Sequence, residues 1–391
     1  MFANRVKQIA PSPTLALGAK VRAMRAQGKD VISFAMGEPD FPTPEPICEE
    51  AIRAIREGFT HYTDSRGTLE LREEISRKLL EENHIHASPD QIVVSCGAKH
   101  ALFNALMAIC NPGDEVILLA PCWMTYREQA ILAGAVPVVV ETPAQNQYLP
   151  VFEDIQRAIT PRTKAIIINS PCNPTGAVFP RNTLKEIASL ALRHGFFIIS
   201  DEIYEKHIYD GNSHTSIASL SQEVAKQTIT INGVSKSFAM TGWRIGYASA
   251  PLDIAEAMAT IQDQVTSNPS GISQKAALAA LRLDSKLIHK MLQDFDSRRC
   301  FMAEELASVS GAKFCLPKGA FYIFAEFDGA IGNKIKNDIE LVNYLLENYE
   351  VACIPGSVFE GPGKLRLTYA LPHEQIREGI QRLSEGIRSL N

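Results

Sequence analysis

A lysine shortly after a buried-type apolar run is the first residue of this sequence that could carry out chemistry. Lys236 follows the run 228–231, and an amine at the end of a buried strand is costly to desolvate unless it has a partner or a reaction to perform. Arg244 comes eight residues later, and its guanidinium could reach back to an anion near Lys236, because this group binds phosphate through paired hydrogen bonds. Taken singly, both residues have plainer explanations, a structural lysine and an arginine that caps a turn.

Polar residues also follow other apolar runs. Gly97 lies between one run and a predicted helix, and the free N–H groups and dipole at such a helix start favour a bound phosphate. Asp201 ends another run, and Tyr204 comes three residues later, so that an acid and a phenol face each other on one turn. Asn173 lies in the loop 169–176, whose two turns of the Asn-Pro type fix a rigid backbone and leave its amide able to donate to a ligand. Each of these features could equally be structural.

Short apolar runs predict the strands that must position these residues. They are bounded by turn residues and are too short for helices, and they cover 91–94, 115–119, 136–140, 165–168, 196–199, 228–231 and 245–248. Helical spacing fills several gaps, as in residues 184–191, which follow Pro180 and end at Gly195. This alternation predicts a largely parallel sheet covered on both faces, and ligands bind such sheets beyond the carboxyl ends of their strands. Polar residues directly after the runs are therefore site candidates, among them Ser95, Asn169, Asp201 and Asn232.

The pattern changes near residue 285. A charged helix over 287–306, strands over 320–324 and 365–368 and a helix over 339–348 predict a smaller α+β domain. Residues 1–45 are rich in proline and are interpreted as an arm and a linker. The sequence thus predicts a large cofactor-binding domain over 46–285, with 1–45 and 286–391 forming the arm and the small domain.

Composition excludes several classes of function. The 39 Lys and Arg against 44 Asp and Glu give a formal charge of −5, which offers no basic field to a nucleic acid. No stretch is apolar for long enough to span a bilayer, and no apolar core follows the basic residues of the N-terminus. The 8 cysteines lack the close pairing of metal or redox sites, so we expect reduced thiols, a cytoplasmic protein and no metal.

Together, these motifs resemble the fold-type I, class I aminotransferases, which depend on pyridoxal 5′-phosphate. The likeness runs nearly end to end and rests on residues 37–40 (Gly-Glu-Pro-Asp), Tyr62, residues 173–176 (Asn-Pro-Thr-Gly), residues 201–204, Ser235-Lys236, Arg244 and Arg366. The segment 240–247 is similar to that of the bacterial aspartate aminotransferase branch. The resemblance implies an α/β fold with a mostly parallel seven-stranded sheet between helices, plus the smaller α+β domain.

The resemblance also implies roles around the cofactor ring. Lys236 would hold the cofactor as a Schiff base and then move the substrate's α proton. Asp201 would keep the pyridine nitrogen protonated, so that the ring accepts electrons. Tyr204 and Asn173 would hydrogen-bond the ring's 3′ oxygen, and Trp123 would stack on the ring and border the substrate.

Further residues are implied to hold the phosphate and the substrate. The phosphate group would be bound by Gly97, Ala98, Lys99, Ser235 and Arg244. Tyr62 would reach it from the neighbouring subunit, which implies a homodimer. Arg366 would bind the substrate's α-carboxylate through its planar fork, with Gly37, Asn173 and Trp123 beside it. The small domain would then close over the substrate.

One departure from the aspartate branch bears on the substrate. That branch has a lysine before the segment that reads Pro-Ser-Pro-Thr here (residues 11–14), and this lysine contacts the distal carboxylate of aspartate or glutamate; this chain has Ala10. Lys7 could substitute only if the arm shifts. We expect transfer from aspartate or glutamate to a 2-oxo acid such as 2-oxoglutarate. The alternatives are an aminotransferase for neutral or aromatic amino acids and a β-elimination lyase; no residues remain for the DNA-binding module of a regulator.

Overall fold

The computed structural model describes residues 2–11, 13–332 and 334–390. Ser12 of the Pro-Ser-Pro-Thr segment lies outside the described residues. The strands are β1 (Ile32–Ser33), β2 (Ile92–Ser95), β3 (Glu115–Ala120), β4 (Val136–Glu141), β5 (Thr163–Asn169), β6 (Phe197–Asp201), β7 (Thr228–Gly233), β8 (Gly246–Ser249), β9 (Ala312–Phe314), β10 (Tyr322–Phe327), β11 (Val351–Ala352), β12 (Ile354–Pro355) and β13 (Lys364–Thr368).

The helices alternate with the strands in the first two thirds of the chain. They are α1 (Asn4–Gln8), α2 (Pro13–Ala26), α3 (Glu45–Arg56), α4 (Leu69–Asn83), α5 (Ala98–Ile109), α6 (Thr125–Leu132), α7 (Phe152–Ala158), α8 (Arg181–His194), α9 (Gln222–Ala225), α10 (Leu252–Val265), α11 (Gly271–Leu281), α12 (Ser285–Ala307), α13 (Asp338–Tyr349) and α14 (His373–Arg388). Among the described residues, no helix combines the length and apolar character needed to cross a membrane.

The seven predicted strands form one seven-stranded sheet. Its order is β2-β8-β7-β6-β5-β3-β4, and β8 pairs antiparallel with both neighbours while the other pairs are parallel. Successive side chains of a strand point to opposite faces, so Ile166 and Ile168 pack in one core cluster while Ala165 and Ile167 pack in another. Burial on both faces explains the continuous apolar runs, and the predicted mostly parallel α/β sheet is confirmed.

Two helix boundaries lie at glycine turns that connect helices to strands of the large sheet. Helix α8 starts after Pro180 and stops at Gly195, whose φ of 75° belongs to the left-handed region in which a helix commonly ends. Helix α5 starts after Gly97, which has a φ of 86°. Both turns occur where the sequence predicts them, and the second places free backbone N–H groups beside the end of β2.

The last hundred residues form a second sheet. Its order is β12-β13-β10-β9, it is antiparallel, and its core includes Phe295, Phe321 and Leu367. Where the sequence predicts only an arm and a linker, the structure forms α1 and α2, and β1 pairs parallel with β11. Helix α2 begins with Pro13 at a position that needs no N–H donor, and it buries only Val21 and Met24, which is why its apolar pattern is faint.

Candidate active site

A cavity of about 310 Å³ lies at the carboxyl ends of the parallel strands, at the lower end of the size range of roughly 300–1,000 Å³ for small-molecule sites. Most of the residues singled out in the sequence line it: Gly37, Ala98, Lys99, Trp123, Asn173, Asp201, Tyr204, Ser235, Lys236, Arg244 and Arg366. These residues come from separate segments of the large sheet, the small sheet and the N-terminal part of the chain, so the fold brings them to one point.

Lys236 follows β7 and is half-buried in the cavity wall. Its Nζ donates to the backbone oxygen of Gly37 at 2.5 Å and lies 5.9 Å from the centroid of the Tyr204 ring. Burial lowers the pKa of this amine to about 8, although the nearby Glu38 carboxylate raises it. An amine with this pKa has a substantial neutral fraction near neutral pH, as a nucleophile or a proton acceptor requires.

Asp201 is the last residue of β6 and is buried. Burial raises its pKa to about 6, while the Tyr126 hydroxyl, which donates to Oδ2 at 2.7 Å, and the Ile203 N–H lower it. The sequence predicts that Tyr204 faces this acid, but the phenol that bonds to it is Tyr126, because the chain after Asp201 continues as a turn and carries the Tyr204 hydroxyl to Tyr322. A buried carboxyl with a raised pKa gains from a cationic partner in the cavity.

Arg366 lies in β13 and is held from several sides. Its Nη1 donates to Asn173 Oδ1 at 3.1 Å and its Nη2 to the backbone oxygen of Ala35 at 2.8 Å. Its Nε is buried and has no hydrogen-bond partner among the described residues. Burial lowers the pKa of this guanidinium. A carboxylate ligand would supply the missing acceptor and the missing charge.

The start of α5 and Arg244 form an anion cradle. A Cβ at Gly97 would lie 2.3 Å from Arg244 Nη2, and a Cβ at Gly246 would lie 2.1 Å from the Ala98 nitrogen, so this close approach requires glycine at both positions. The guanidinium is fixed by bonds to the backbone oxygens of Thr241 at 2.9 Å and Cys96 at 3.3 Å. Free helix N–H groups beside an arginine suit a phosphate.

Two other cradle candidates also line the cavity. Ser235 is buried. The Nζ of Lys99 lies 4.9 Å from the centroid of the Trp123 ring, and burial, followed by the charge of Arg244, lowers its pKa. A lysine with this setting gains from a nearby anion.

Some expected residues lie outside the cavity wall. Gly97 flanks it, and the side chain of Tyr62 is at the surface, 93% exposed. The backbone nitrogen of Ala10 donates to Glu128, and Lys7 is exposed in α1 and does not line the cavity.

Several cavity residues were missed by reasoning from the sequence. They are Ala35, Tyr126 and Tyr322. Four more were marked only by their surroundings: Ile203 and Thr241 by the motifs that contain them, Asn169 by its place after a strand and Thr14 by the departure at Ala10. Tyr126 lies three residues after Trp123, a spacing that places both on one side of a helical turn, and this signal could have found it.

A buried ionic cluster lies behind the segment that carries Asp201. Glu202, Glu205 and His214 have ligand atoms within 4.8 Å of one another, a grouping that could hold a metal. In this structure Lys78 provides the counter-charge, since its Nζ contacts Glu205 and lies 2.7 Å from Asn83 Oδ1. Although burial raises the pKa of Glu205, the Lys78 ammonium holds it down to about 2. The cluster links α4 to the turn that follows β6.

The fold and the site together define a class of protein. A strand-end lysine, a buried acid with a raised pKa, a helix start beside Arg244 and a buried arginine share one cavity of a mostly parallel α/β sheet. This arrangement belongs to enzymes that hold a phosphorylated pyridine cofactor while they act on a carboxylic acid substrate.

Comparison with known proteins identifies the family. Residues 29–383 match the family described as aminotransferase class I and II. The chain is 46% identical to a probable aspartate/prephenate aminotransferase of Aquifex aeolicus over 100% of this chain and 99% of that one, and 44% identical to an aspartate aminotransferase of Bacillus sp. over 99% of each. The structure of the Thermus thermophilus aspartate aminotransferase with maleate superposes with a TM-score of 0.94, at 40% identity and over 99% of both chains. The chain belongs to the class I and II aminotransferase family, whose cofactor is pyridoxal 5′-phosphate.

The residues of the cavity fit this cofactor. Glycine at positions 97 and 246 allows the start of α5 to lie against Arg244, where free N–H groups and a guanidinium suit a phosphate. The raised pKa of buried Asp201 would be lowered by a pyridinium beside it. The amine of Lys236 lies in the same cavity.

Proposed function

We propose that this aminotransferase takes the amino group of aspartate or glutamate and passes it to a 2-oxo acid such as 2-oxoglutarate, with Lys236 as the amine that carries the cofactor. The observation that supports this most is that Lys236, Asp201, Arg366 and the anion cradle line one cavity of about 310 Å³. The names of the Aquifex and Bacillus relatives agree with aspartate as the donor.

The residues around the ring divide the chemistry between them. When bound, the cofactor would supply a protonated ring able to accept electrons. Asp201 holds the proton on the ring nitrogen, and Tyr126 orients its carboxylate from 2.7 Å. Lys236 Nζ takes up the α proton and returns it, a task for which its lowered pKa of about 8 is suited. Tyr204 and Asn173 are the donors proposed for the 3′ oxygen, and Trp123 is the wall against the ring.

The substrate requires two cationic contacts if it is a dicarboxylate. Arg366 binds the α-carboxylate through its fork, beside Gly37 and Asn173. For the distal carboxylate, Ala10 has no charge and Lys7 is outside the cavity wall. Lys99 is in the wall, and no acceptor among the described residues is within hydrogen-bonding distance of its Nζ. We therefore propose that Lys99 is available to the distal carboxylate, while Gly97, Ala98, Ser235 and Arg244 hold the phosphate.

The proposal includes a homodimer in which Tyr62 reaches the phosphate site of the partner subunit. A tyrosine that is 93% exposed is unusual for a large aromatic side chain and fits a residue that another chain covers. Light scattering of the purified protein, with Tyr62→Phe as a variant that lowers cofactor affinity, tests this point. The cytoplasmic location and the division into domains at residues 45 and 285 stay predictions.

A single spectroscopic assay tests the proposed function. The cofactor-loaded protein is mixed with one amino acid at a time, without any oxo acid, while its visible absorbance is recorded. Aspartate and glutamate should convert the cofactor far faster than alanine or phenylalanine, and 2-oxoglutarate or prephenate should reverse the change. Conversion by neutral amino acids alone would contradict the substrate, and release of pyruvate and ammonia without an acceptor would indicate a lyase. Lys236→Ala serves as the inactive control.

Lys99→Gln separates its two candidate roles. A lost contact to the distal carboxylate should raise the KM for aspartate by roughly 10- to 100-fold and leave the KM for phenylalanine within about 2-fold. If Lys99 instead serves the phosphate, the dissociation constant of the cofactor rises and both substrates are affected alike. Steady-state kinetics at saturating cofactor distinguish these results.

A further inference from the structure

Tyr322 is a fully buried cavity residue whose two ends contact two different parts of the site. The centroid of its ring lies 4.4 Å from the guanidinium carbon of Arg366, and its hydroxyl oxygen lies 2.8 Å from that of Tyr204. The proposed function gives it no role. It is the first residue of β10, on the small sheet, whereas Tyr204 follows a strand of the large one.

The ring contact follows from the register of the small sheet. Phe324 lies directly opposite Arg366, so Tyr322, two residues earlier on the same face, is the diagonal neighbour of that arginine. The guanidinium has hydrogen bonds at Nη1 and Nη2 but, among the described residues, no partner for Nε. Its carbon lies over the Tyr322 ring and also over the Phe359 ring, 5.1 Å from the centroid of the latter. An aromatic face attracts a poorly solvated cation, so the Tyr322 ring both stabilises the charge and fixes the plane of the fork.

The contact between the hydroxyls of Tyr322 and Tyr204 determines where the Tyr204 proton is directed. Burial raises the pKa of both Tyr204 and Tyr322, so both phenols keep their protons at neutral pH. One of the two protons lies in the bond between the oxygens, and the other is left for a different acceptor. When Tyr322 is the donor, the Tyr204 proton is the one directed to the cavity. A phenol that accepts one hydrogen bond is a stronger donor in the next.

We propose that Tyr322 is a positioning residue with two separable roles: its ring orients Arg366 for the α-carboxylate, and its hydroxyl donates to Tyr204 and so strengthens the Tyr204 bond to the cofactor's 3′ oxygen. This inference rests on the proposed function, which assigns those ligand contacts to Arg366 and Tyr204. It links one side chain of the small sheet to both the substrate and the cofactor.

Two substitutions at this position separate the roles. Tyr322→Phe removes the hydroxyl and keeps the ring, whereas Tyr322→Leu removes both. The readouts are the pH midpoint of the cofactor's visible absorbance and the dissociation constant of succinate, measured by calorimetry. Tyr369→Phe is the matched control, because that hydroxyl is also buried and bonds to a backbone oxygen, at 3.0 Å, outside the cavity wall.

The expected results differ for each protein. A donor to the 3′ oxygen stabilises its charged form, so weakening it in Tyr322→Phe should raise the absorbance midpoint by roughly 0.2 to 0.5 pH units, with succinate affinity unchanged within about 2-fold. Tyr322→Leu should show the same raised midpoint as Tyr322→Phe and bind succinate roughly 5- to 30-fold more weakly than the wild type. Tyr369→Phe should change neither. Adding Tyr322→Phe to Tyr204→Phe should not move the midpoint further, since the hydroxyl acts through Tyr204.

Other outcomes would overturn the assignment. If the absorbance midpoint of Tyr322→Phe equals that of the wild type, the hydroxyl has no such role. The same conclusion follows if Tyr322→Phe shifts the midpoint of Tyr204→Phe as much as it shifts that of the wild type. Unchanged succinate affinity in folded Tyr322→Leu would show that the ring does not orient Arg366. If that variant does not fold, a weaker succinate affinity in Tyr322→Phe would contradict the separation of the ring role from the hydroxyl role. Neither readout depends on turnover. A wild-type protein that converts no amino acid would therefore refute the proposed function without deciding the roles of Tyr322.

Discussion

Asp201→Asn should make the cofactor-free protein more stable and the enzyme far less active. The folded protein raises the pKa of Asp201 from 3.8 to about 6, mainly through burial. Because the folded pKa is the higher one, the contribution of this carboxyl to stability is fully present below pH 3.8 and is lost as the pH rises through about 6. Asparagine has no proton to lose and can still accept the Tyr126 hydroxyl.

The magnitude follows from the same two pKa values. At about 1.4 kcal/mol per pH unit, the ionised carboxyl costs the folded protein about 3 kcal/mol at pH 8 and about half of that at pH 5. The excess stability of the Asp201→Asn variant should therefore grow by roughly 1–2 kcal/mol between those two pH values. Any constant effect of the amide cancels in this difference.

Thermal unfolding of both proteins, freed of cofactor, measures this effect. For a chain of 391 residues, about 3 kcal/mol corresponds to a Tm difference of about 4 °C. Added cofactor should reverse the order, because only the carboxylate gains a pyridinium partner, and kcat should fall by roughly 10²- to 10³-fold. A stability difference that stays flat from pH 5 to pH 8 would refute the account of Asp201.

Two further predictions concern space and buried charge. Gly97→Ala should weaken cofactor binding by roughly 10-fold or more in a fluorescence titration, since its Cβ would displace Arg244. The control is Gly113→Ala, with a similar φ of 92° and no neighbour within 4 Å; it should lower the free energy of unfolding by only about 1 kcal/mol, through backbone strain. Lys78→Met should lower the free energy of unfolding in urea by about 3–5 kcal/mol because it strands the buried Glu205 carboxylate, and combining it with Glu205→Met should recover most of that loss; equal instability of the single and double variants would contradict this reasoning.

The large sheet could be predicted because burial on both faces makes its strands continuously apolar in sequence. Residues 165–168 are buried on both faces and read as a continuous apolar run, which few other structures produce. Parallel strands then bring their carboxyl ends to one edge, so the placement of Asn169 and Asp201 at a common edge followed from the sequence, and the structure adds that the two residues are paired in register. The helix start at Gly97 was found in the same way, from its turn.

The contacts that were missed depend on packing between distant elements. Tyr126 in α6 bonds to Asp201 at the end of β6, and the two residues are 75 positions apart. Tyr322 and Tyr204 are 118 positions apart; the first lies in the small sheet and the second in the turn after β6. No local periodicity encodes such distances. Resemblance to a family supplied the roles of Arg366 and Trp123, which spacing alone leaves open.

The charges of the cavity explain why one ligand can satisfy so many of its residues. Burial opposes the charge on Asp201, on Lys236 and on Arg366, and the described part of the protein offers none of them full compensation: the acid keeps a raised pKa, the amine a lowered one, and the guanidinium an unpartnered Nε. Each would be relieved by a different part of a bound cofactor and amino acid. Asp201→Asn removes one of these costs in the absence of ligand, and by the same reasoning it removes the corresponding gain when the ligand is bound. The lower free energy of unfolding without ligand and the gain on binding therefore have the same origin. Asp201 would be relieved by a cationic ring, Lys236 by reaction of its amine, and Arg366 by a carboxylate.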